Sequence, residues 1–275
     1  MENYSSIIED IWLNKDKIDL NSDYFNYSKQ IIDQVMSLLE LGSICVSYKH
    51  EDNWLVNEWL KKAILLKFKV SQMKIYNGNC MRWYDKIDLK FSNQDQSAIA
   101  QSGIRMVPGA YIRQGTYIGE NTIIMPSFIN IGAHIGSKTL IDTWATVGSC
   151  AYIGKNCHIS GGVGIGGVLE PLQARPVIIE DNCFIGARSE VAEGVIVKEG
   201  AVISMGVFLG ASTKIVDRYS GKITYGTIPP YSVVVPGVLP ANEPNLPSVA
   251  CAVIIKQVDE KTRQKTSINE LLREK

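Results

Sequence analysis

Residues 123–165 read IIMPSFINIGAHIGSKTLIDTWATVGSCAYIGKNCHISGGVGI, with a branched aliphatic at every sixth position: Ile123, Ile129, Ile135, Ile141, Val147, Ile153, Ile159 and Ile165. Two residues before each stands a small or slim side chain: Asn121, Ser127, Ala133, Thr139, Ala145, Ala151, Cys157 and Val163. The residue after the aliphatic is often small as well, as at Gly136, Gly148, Gly154, Ser160 and Gly166, and Asp142 is the one charge in that slot. From about Val107 the helical spacing of three to four gives way to a spacing of six. A six-residue unit with one aliphatic and one small inward side chain describes a short flat face. Three such faces make a coil of about 18 residues, the unit of a parallel β-helix. Coils stack so that each contacts only its neighbours. Glycine directly after the aliphatic is expected to serve a corner of positive φ. A β-sandwich would need this spacing to arise by chance at every position.

The repeat extends both ways. Ile112 and Ile118 begin it, and it slips by one residue at Ile123–Ile124. It breaks at 167–176 (GVLEPLQARP), which is too polar and proline-rich to continue a face, then resumes at Ile179, Ile185, Val191, Val197, Ile203, Leu209 and Ile215. Cys183, Ser189, Val195, Ala201, Val207 and Thr213 take the slim slot. The stretch 217–226 predicts a hairpin around Ser220-Gly221, Tyr231 to Val235 a last strand of the helix, and Ala250 to Ile255 a further strand. Ser267 to Glu270 opens a terminal helix with capping-box spacing.

Before the repeat, the chain reads as helices with a strand or two. Ser6 to Glu9 has capping-box spacing ahead of an amphipathic segment. Asp23 to Leu41 carries Ile31, Ile32, Val35, Met36, Leu38 and Leu39 at helical spacing and ends at Gly42. Ile44 to Val46 reads as a strand and Val56 to Phe68 as a third helix burying Trp59, Leu60, Ala63, Ile64 and Leu66. Trp54, Trp59 and Trp83 read as packing residues. The expected class is mainly β. A mostly helical α/β domain spans 1–102. A β-helix spans 103–236, with loop insertions near 167–176 and 217–226. A small strand and helix span 237–275.

Composition bounds the partners. The 275 residues have a formal net charge of +0 and no block of like charge, which argues against nucleic acid or an anionic membrane surface. The six cysteines are scattered without a CxxC pair, which fits free thiols in a cytoplasmic protein. Cys157 and Cys183 fall in the inward slot and read as core fillers. The start, MENYSSIIEDIW, lacks the features of a secretory signal, and no apolar run approaches the ~18 residues needed to span a bilayer.

In a β-helix the inward positions belong to the core, so chemistry must come from outward side chains, corners and loops. Asp142 sits at a corner, and since Ala145 points in, Trp144 points out. The pair reads either as a site or as a solvated acid beside a packing indole. Glu190, in GARSEV, reads on its own as a surface glutamate. No metal is expected: the histidines are His50, His134 and His158, and the last two are not a whole number of coils apart, so they belong on different faces. No GxxxxGK(S/T) phosphate loop occurs. The run Gly161-Gly162-Val163-Gly164-Ile165-Gly166-Gly167 lies inside the repeat, where its glycines read as corners and close approaches.

The stretch IDTWATVGSCAYIGKNCHISGGVGIGGVLEPLQARPVIIEDNCFIGARSEVAEGVIV (141–197) resembles the tetrahydrodipicolinate N-succinyltransferases of the hexapeptide-repeat transferases. WLKKAILLKF (59–68), GIRMVPGAYIRQG (103–115), VISMGVFLGAST (202–213) and KTSINELLR (265–273) fit as well, so the resemblance spans nearly the whole chain. It implies a left-handed β-helix, an exception to the right-handed crossover rule, assembled as a homotrimer. It implies transfer of succinyl from succinyl-CoA, as co-substrate and with no resident cofactor, to the amino group of ring-opened, hydrated tetrahydrodipicolinate, in diaminopimelate and lysine biosynthesis. The family's substrate-binding arginine falls on Arg105, its aspartate on Asp142 and its functional glutamate on Glu190. Tyr152 and Arg175 depart from the common residues, glutamine and asparagine, without touching that chemistry.

An ammonium must lose a proton before it attacks a thioester, and Asp142 is the expected carboxylate for that step, with Glu190 assisting. Three carboxylates on the two substrates call for guanidinium groups, Arg105 foremost and Arg188 second. Corner N–H groups are expected to hold the oxyanion, without the spacing saying which. Trp144 is expected to wall the substrate. Ser204 and Gly206 are expected beside CoA by fold analogy alone. Cys150 reads as structural. The loop 167–176 and the C-terminal segment are candidates for closure. Because Asp142 and Trp144 face outward, the second wall of the pocket is expected from a neighbouring subunit.

Overall fold

The computed structural model describes residues 4–20, 22–77, 82–92, 94–241, 243 and 245–273, with the side chain of Lys265 left out. Cys80 lies outside the described residues. The six-residue period becomes a column of two-residue strands in three parallel sheets. Face I carries Tyr117–Ile118, His134–Ile135, Tyr152–Ile153, Ile178–Ile179, Ile196–Val197 and Thr227–Ile228. Face II carries Arg105–Met106, Ile123–Ile124, Leu140–Ile141, His158–Ile159, Phe184–Ile185, Val202–Ile203 and Ser232–Leu239. Face III carries Tyr111–Ile112, Phe128–Ile129, Thr146–Val147, Gly164–Ile165, Glu190–Val191 and Phe208–Leu209. The second residue of each short pair points inward and stacks on its equivalent one coil away, as in Ile135↔Ile153, Ile141↔Ile159 and Val147↔Ile165. These aliphatics, with the slim Ala133, Ala145, Ala151, Cys157, Val163 and Cys183, form one continuous buried core. Both cysteines are core fillers, as read.

Two details of the repeat differ from the expectation. Ile124, not Ile123, is the buried residue of its strand, and Thr122, fully buried, takes the slim slot instead of Asn121. The slip therefore falls between Ile124 and Ile129. At the other end Ile215 leaves the ladder. It joins a strand, Ile215–Asp217, that pairs antiparallel with Ile223–Thr224 and parallel with Val249–Gln257. The seat above Val197 goes to Ile228.

The corners also correct the glycine reading. The left-handed residue sits three positions after the aliphatic, at Gly132, Gly162, Gly194, Gly200 and Gly206, but equally at Asn121, Lys138, Trp144, Cys150, Asn156, Asn182 and Arg188. The glycines directly after the aliphatics lie outside that region. They are small for another reason: a β-carbon on Gly119, Gly136, Gly148 or Gly186 would overlap the backbone of the adjacent coil.

The N-terminal helices α1 (Tyr4–Leu13), α2 (Asp23–Glu40) and α3 (Glu58–Val70) pack Ile8, Ile11, Ile32, Val35, Met36, Leu60 and Ile64 into a second core that also takes Ile131 and Cys150 from the coils. Ser6 lies inside α1 and does not cap it. Gly42 closes α2 at φ +71, as expected. The strand expected at Ile44–Val46 is instead the hairpin Ser47–His50 with Asn53–Val56, and a second hairpin joins Lys74–Asn77 to Arg82–Asp85. Period-two alternation is too brief in either for sequence to show.

The first hairpin docks on face I. Trp54 packs on Tyr152, Tyr152 on His134 and His134 on Tyr117, at centroid separations of 4.7, 4.7 and 4.5 Å. Glu180 accepts hydrogen bonds from Trp54 Nε1 (2.8 Å), Lys49 Nζ (3.0 Å) and the Glu199 N–H (3.0 Å). Burial pushes its carboxyl up, but these donors outweigh burial and hold it below its usual value. At the far end the strand Val249–Gln257 pairs with Ser232–Leu239 and so extends face II. Two short helices follow, α4 (Glu260–Lys265) and α5 (Ile268–Leu271). The second opens with the expected Ser267/Glu270 capping box and buries Leu271 against Val202 and Val233. Among the described residues no helix is long and apolar enough to cross a membrane.

Candidate functional site

Each coil turns from face II to face III through a corner of the same shape. The stacked corners are Asp142-Thr143-Trp144, Ser160-Gly161-Gly162, Gly186-Ala187-Arg188 and Ser204-Met205-Gly206. The left-handed residue of each donates its N–H to the coil before: Trp144 to Pro126 O (2.6 Å), Gly162 to Thr143 O (2.8 Å), Arg188 to Gly161 O (3.1 Å) and Gly206 to Ala187 O (3.0 Å). Those N–H groups are committed to the ladder. Among the described residues the N–H groups of Gly161, Ala187 and Met205 have no acceptor, so they are the corner donors left for an oxyanion.

Asp142 begins its corner half-buried. Its own N–H donates to Ile159 O at 2.9 Å, which fixes its Cα against the next coil. One carboxylate oxygen, Oδ1, accepts the Thr143 N–H (2.6 Å) and the Thr143 hydroxyl (3.2 Å). The other, Oδ2, stands 3.9 Å from His158 Nε2, beyond hydrogen-bond reach. Trp144 follows at φ +62 with 70% of its surface exposed, so the outward indole is as read. His134 and His158 lie on faces I and II, also as read.

Arg188 and Glu190 lean over the glycine run. A β-carbon on Gly162 would stand 2.7 Å from the Arg188 guanidinium, and one on Gly164 would overlap the Glu190 carboxylate. The register Thr146↔Gly164↔Glu190 puts Glu190 two coils above the coil of Asp142. At the parallel-strand spacing that is on the order of 10 Å, and the two acids do not touch. The glycines form a trough that lets both side chains reach back towards Asp142. Sequence had read them as close approaches without showing what approaches.

Arg105 lies on the first strand of face II, in the register Arg105↔Ile123↔Leu140, two coils below the strand Leu140–Ile141 that leads into Asp142. Within one chain the two are not in contact. The side chains of Arg105, Arg188 and Glu190 make no hydrogen bond or ion pair with described residues. Ser204 and Gly206 mark the uppermost corner. The same edge exposes Met205 (66%), Phe208 (67%) and Phe128 (42%) besides Trp144, an apolar strip that a solvated surface does not need.

Burial pushes the Cys150 thiol up to about 12, so it is a packing residue and not a nucleophile. The loop 167–176 is tied on several sides. Lys61 Nζ of α3 donates to Ala174 O (2.5 Å), Arg175 donates twice to Gly194 O (3.0 and 2.9 Å), the Val168 N–H reaches Ser149 O (3.0 Å), and Leu169 packs on the helical core. Burial pushes the Lys61 ammonium below its usual value. Sequence reading missed Lys61, whose one signal is its place three residues before Ile64 on the buried stripe. It also missed the contact between His158 and Asp142, which needs the coil register to be seen. Among the described residues no three His, Cys, Asp or Glu side chains cluster as metal ligands would.

Comparison with known proteins adds a second line. Residues 3–70 match the family described as tetrahydrodipicolinate N-succinyltransferase N-terminal. Residues 132–167 match the bacterial transferase hexapeptide, and residues 176–211 the hexapeptide repeat of succinyl-transferase. The chain is 56% identical over 276 residues to the 2,3,4,5-tetrahydropyridine-2,6-dicarboxylate N-succinyltransferase of Wolbachia sp. subsp. Brugia malayi, covering 100% of this chain and 99% of that one. It is 62% identical over 267 residues to the protein of that name from Rickettsia conorii, covering 97% of each. In three dimensions it resembles a crystal structure from Campylobacter jejuni described as a 2,3,4,5-tetrahydropyridine-2-carboxylate N-succinyltransferase. The TM-score is 0.54 at 16% identity, over 82% of this chain and 62% of that one, a likeness of fold.

Proposed function

The chain belongs to the tetrahydrodipicolinate N-succinyltransferase family, and from that membership we propose that it transfers succinyl from succinyl-CoA to the amino group of ring-opened, hydrated tetrahydrodipicolinate. The products are N-succinyl-2-amino-6-oxopimelate and CoA, within diaminopimelate and lysine biosynthesis. The observation that carries the reading is the Asp142 carboxylate, with one oxygen tied to Thr143 and the other uncommitted, at an outward corner where spare backbone N–H groups lie on the coils above.

The acceptor's ammonium pairs with Asp142 Oδ2 and yields a proton to it. The freed amine attacks the thioester carbonyl carbon, and the new C–N bond leaves an oxyanion. The N–H groups of Gly161, Ala187 or Met205 stabilise that charge. The nitrogen of the new bond gives up its second proton, collapse breaks the C–S bond, and CoA leaves as a thiolate that takes up that proton. Arg105 and Arg188 bind carboxylates of the substrates through paired N–H donors. Glu190, held over Gly164, orients the amine or receives the proton from Asp142. CoA lies beside Ser204 to Gly206.

The assembly is a homotrimer with the site between subunits. Trp144, Phe128, Met205 and Phe208 support this, since they leave a largely apolar edge beside an incomplete pocket. Five described cysteines, all free, suit the reducing cytoplasm. Steady-state kinetics on the purified protein tests the activity. Turnover with succinyl-CoA and tetrahydrodipicolinate is expected to exceed that with acetyl-CoA by about tenfold or more, and the opposite preference would replace this reading with an acetyltransferase.

A further inference from the structure

Asp142 has one oxygen held and one open, and the group nearest the open one has not been assigned a part. His158 lies one coil above Leu140, in the register Leu140↔His158↔Phe184. Its ring meets the edge of Phe184 at 5.2 Å between centroids and 74° between planes. Its Nε2 is sealed from solvent and has no hydrogen-bond partner among the described residues. A buried nitrogen without a partner is costly and calls for an explanation. The atom it faces is Asp142 Oδ2, at 3.9 Å.

We propose that His158 is a positioning residue for Asp142: its Nε2–H takes hold of Oδ2 when the acceptor binds and fixes the direction in which the carboxylate meets the amine. This rests on the succinyltransferase reading for its consequence, but not for its geometry. The two residues cannot drift apart, because the Asp142 N–H donates to Ile159 O, the carbonyl next to His158 in sequence. A gap of 3.9 Å between side chains on a fixed backbone closes by a small rotation about χ1 or χ2. Hydrogen bonds of this kind are often long in the unliganded enzyme and tighten in the complex. Thr143 takes both lone-pair sites of Oδ1; with His158 on one site of Oδ2, the other site of Oδ2 stays free for the amine, and the plane of the carboxylate is set from both sides. The strand neighbours Leu140 and Phe184 are uncharged, and Asp142 is the one described acid within ion-pair distance of His158.

The test is a comparison of His158→Phe, which keeps the ring packing without the donor, with His158→Gln, which restores an N–H near the same place. His158→Phe is expected to lower kcat about tenfold while leaving KM for succinyl-CoA unchanged, and to move the acid limb of the kcat/KM profile to higher pH. His158→Gln is expected to recover most of the loss, at melting temperatures matching the parent. Full activity and an unmoved acid limb in His158→Phe would overturn the proposal. So would a His158→Gln as slow as His158→Phe. A second readout does not depend on the assigned reaction. Solvent exchange of the His158 Nε2–H is followed by NMR in the parent and in Asp142→Ala, each with an amino dicarboxylate present. Loss of the acceptor oxygen is expected to speed that exchange severalfold, and an unchanged rate would sink the pairing.

Discussion

The Glu190 carboxylate occupies the place where a β-carbon on Gly164, one coil beneath it, would stand. Gly164 does not have a positive φ, so its value is the room it leaves and not its backbone freedom. Gly164→Ala should therefore displace a side chain without unwinding the coil. Glu190 is exposed and flexible, so the melting temperature is expected to change little. Activity is expected to fall about 10- to 100-fold, as when a reacting group is misplaced by about 1 Å. Assay of Gly164→Ala beside Glu190→Gln checks this, and a fully active Gly164→Ala would mean that the position of Glu190 does not matter.

Asp142→Asn keeps the shape of the corner. Its amide oxygen can still accept from the Thr143 N–H, the bond now made at 2.6 Å. What is lost is the ability to take a proton. The expected fall in kcat is at least about 10²-fold, the low end for removing a general base. Single-turnover rates with succinyl-CoA would show it, and a rate within a few-fold of the parent would move the role to another residue.

Arg105 presents an exposed guanidinium with no described partner on the first strand of face II. Its proposed part is capture of an acceptor carboxylate, which acts alike on ground and transition states. Arg105→Ala is then expected to raise KM for the amino acid with little change in kcat. Arg105→Lys should recover only part of the affinity, because an ammonium cannot reproduce a paired fork. A drop in kcat at unchanged KM would argue for a part in the chemical step.

His134 gives a prediction for stability and not for rate. Burial between Tyr117 and Tyr152 pushes its imidazole down from 6.5 to about 4. Above pH 6.5 both folded and unfolded chains hold it neutral, and it adds no pH dependence. As pH falls from 6.5 towards 4, the unfolded chain takes up a proton that the folded one refuses, so stability is lost, by up to about 3 kcal/mol, and the loss levels off below 4. His134→Phe keeps the stack and removes the proton. Thermal melts across pH 4–7 should show a shallower decline for the variant, and parallel curves would contradict the burial argument.

The core was readable because one rule acts at every coil: residues such as Ile141 and Val147 must face inward for the next coil to sit on them. The same regularity hid the exceptions. Ile123 and Ile124 are equally aliphatic, and only the pairing of Ile124 with Ile141 and Met106 decides between them. Glycine was misread as a torsional device after the aliphatic, because sequence does not show the neighbouring coil. There, Gly136 avoids a clash, while the left-handed seat three positions on tolerates even Trp144. Asp142 stood out in sequence as a charge among small residues. Lys61 and His158 did not, because their partners Ala174 and Asp142 come from other coils or another domain, and a single chain read in order carries no trace of such distant pairs.

Among the described residues the strand of Arg105 pairs on one side only, with Ile123–Ile124, and is held there by the Arg105 N–H to Thr122 O at 3.0 Å and the Val107 N–H to Ile124 O at 3.1 Å. Asp142 lies on a coil stacked from both sides. In a stack with nearest-neighbour contacts, the terminal rung opens most readily. The group proposed to handle the proton thus sits on a rung stacked from both sides, and the group proposed to capture an anion on a terminal one. Amide exchange at residues 104–107 should slow when the acceptor binds, while that around Asp142 stays as it was, so that fraying at one end of the solenoid and occupancy of the site become a single linked equilibrium.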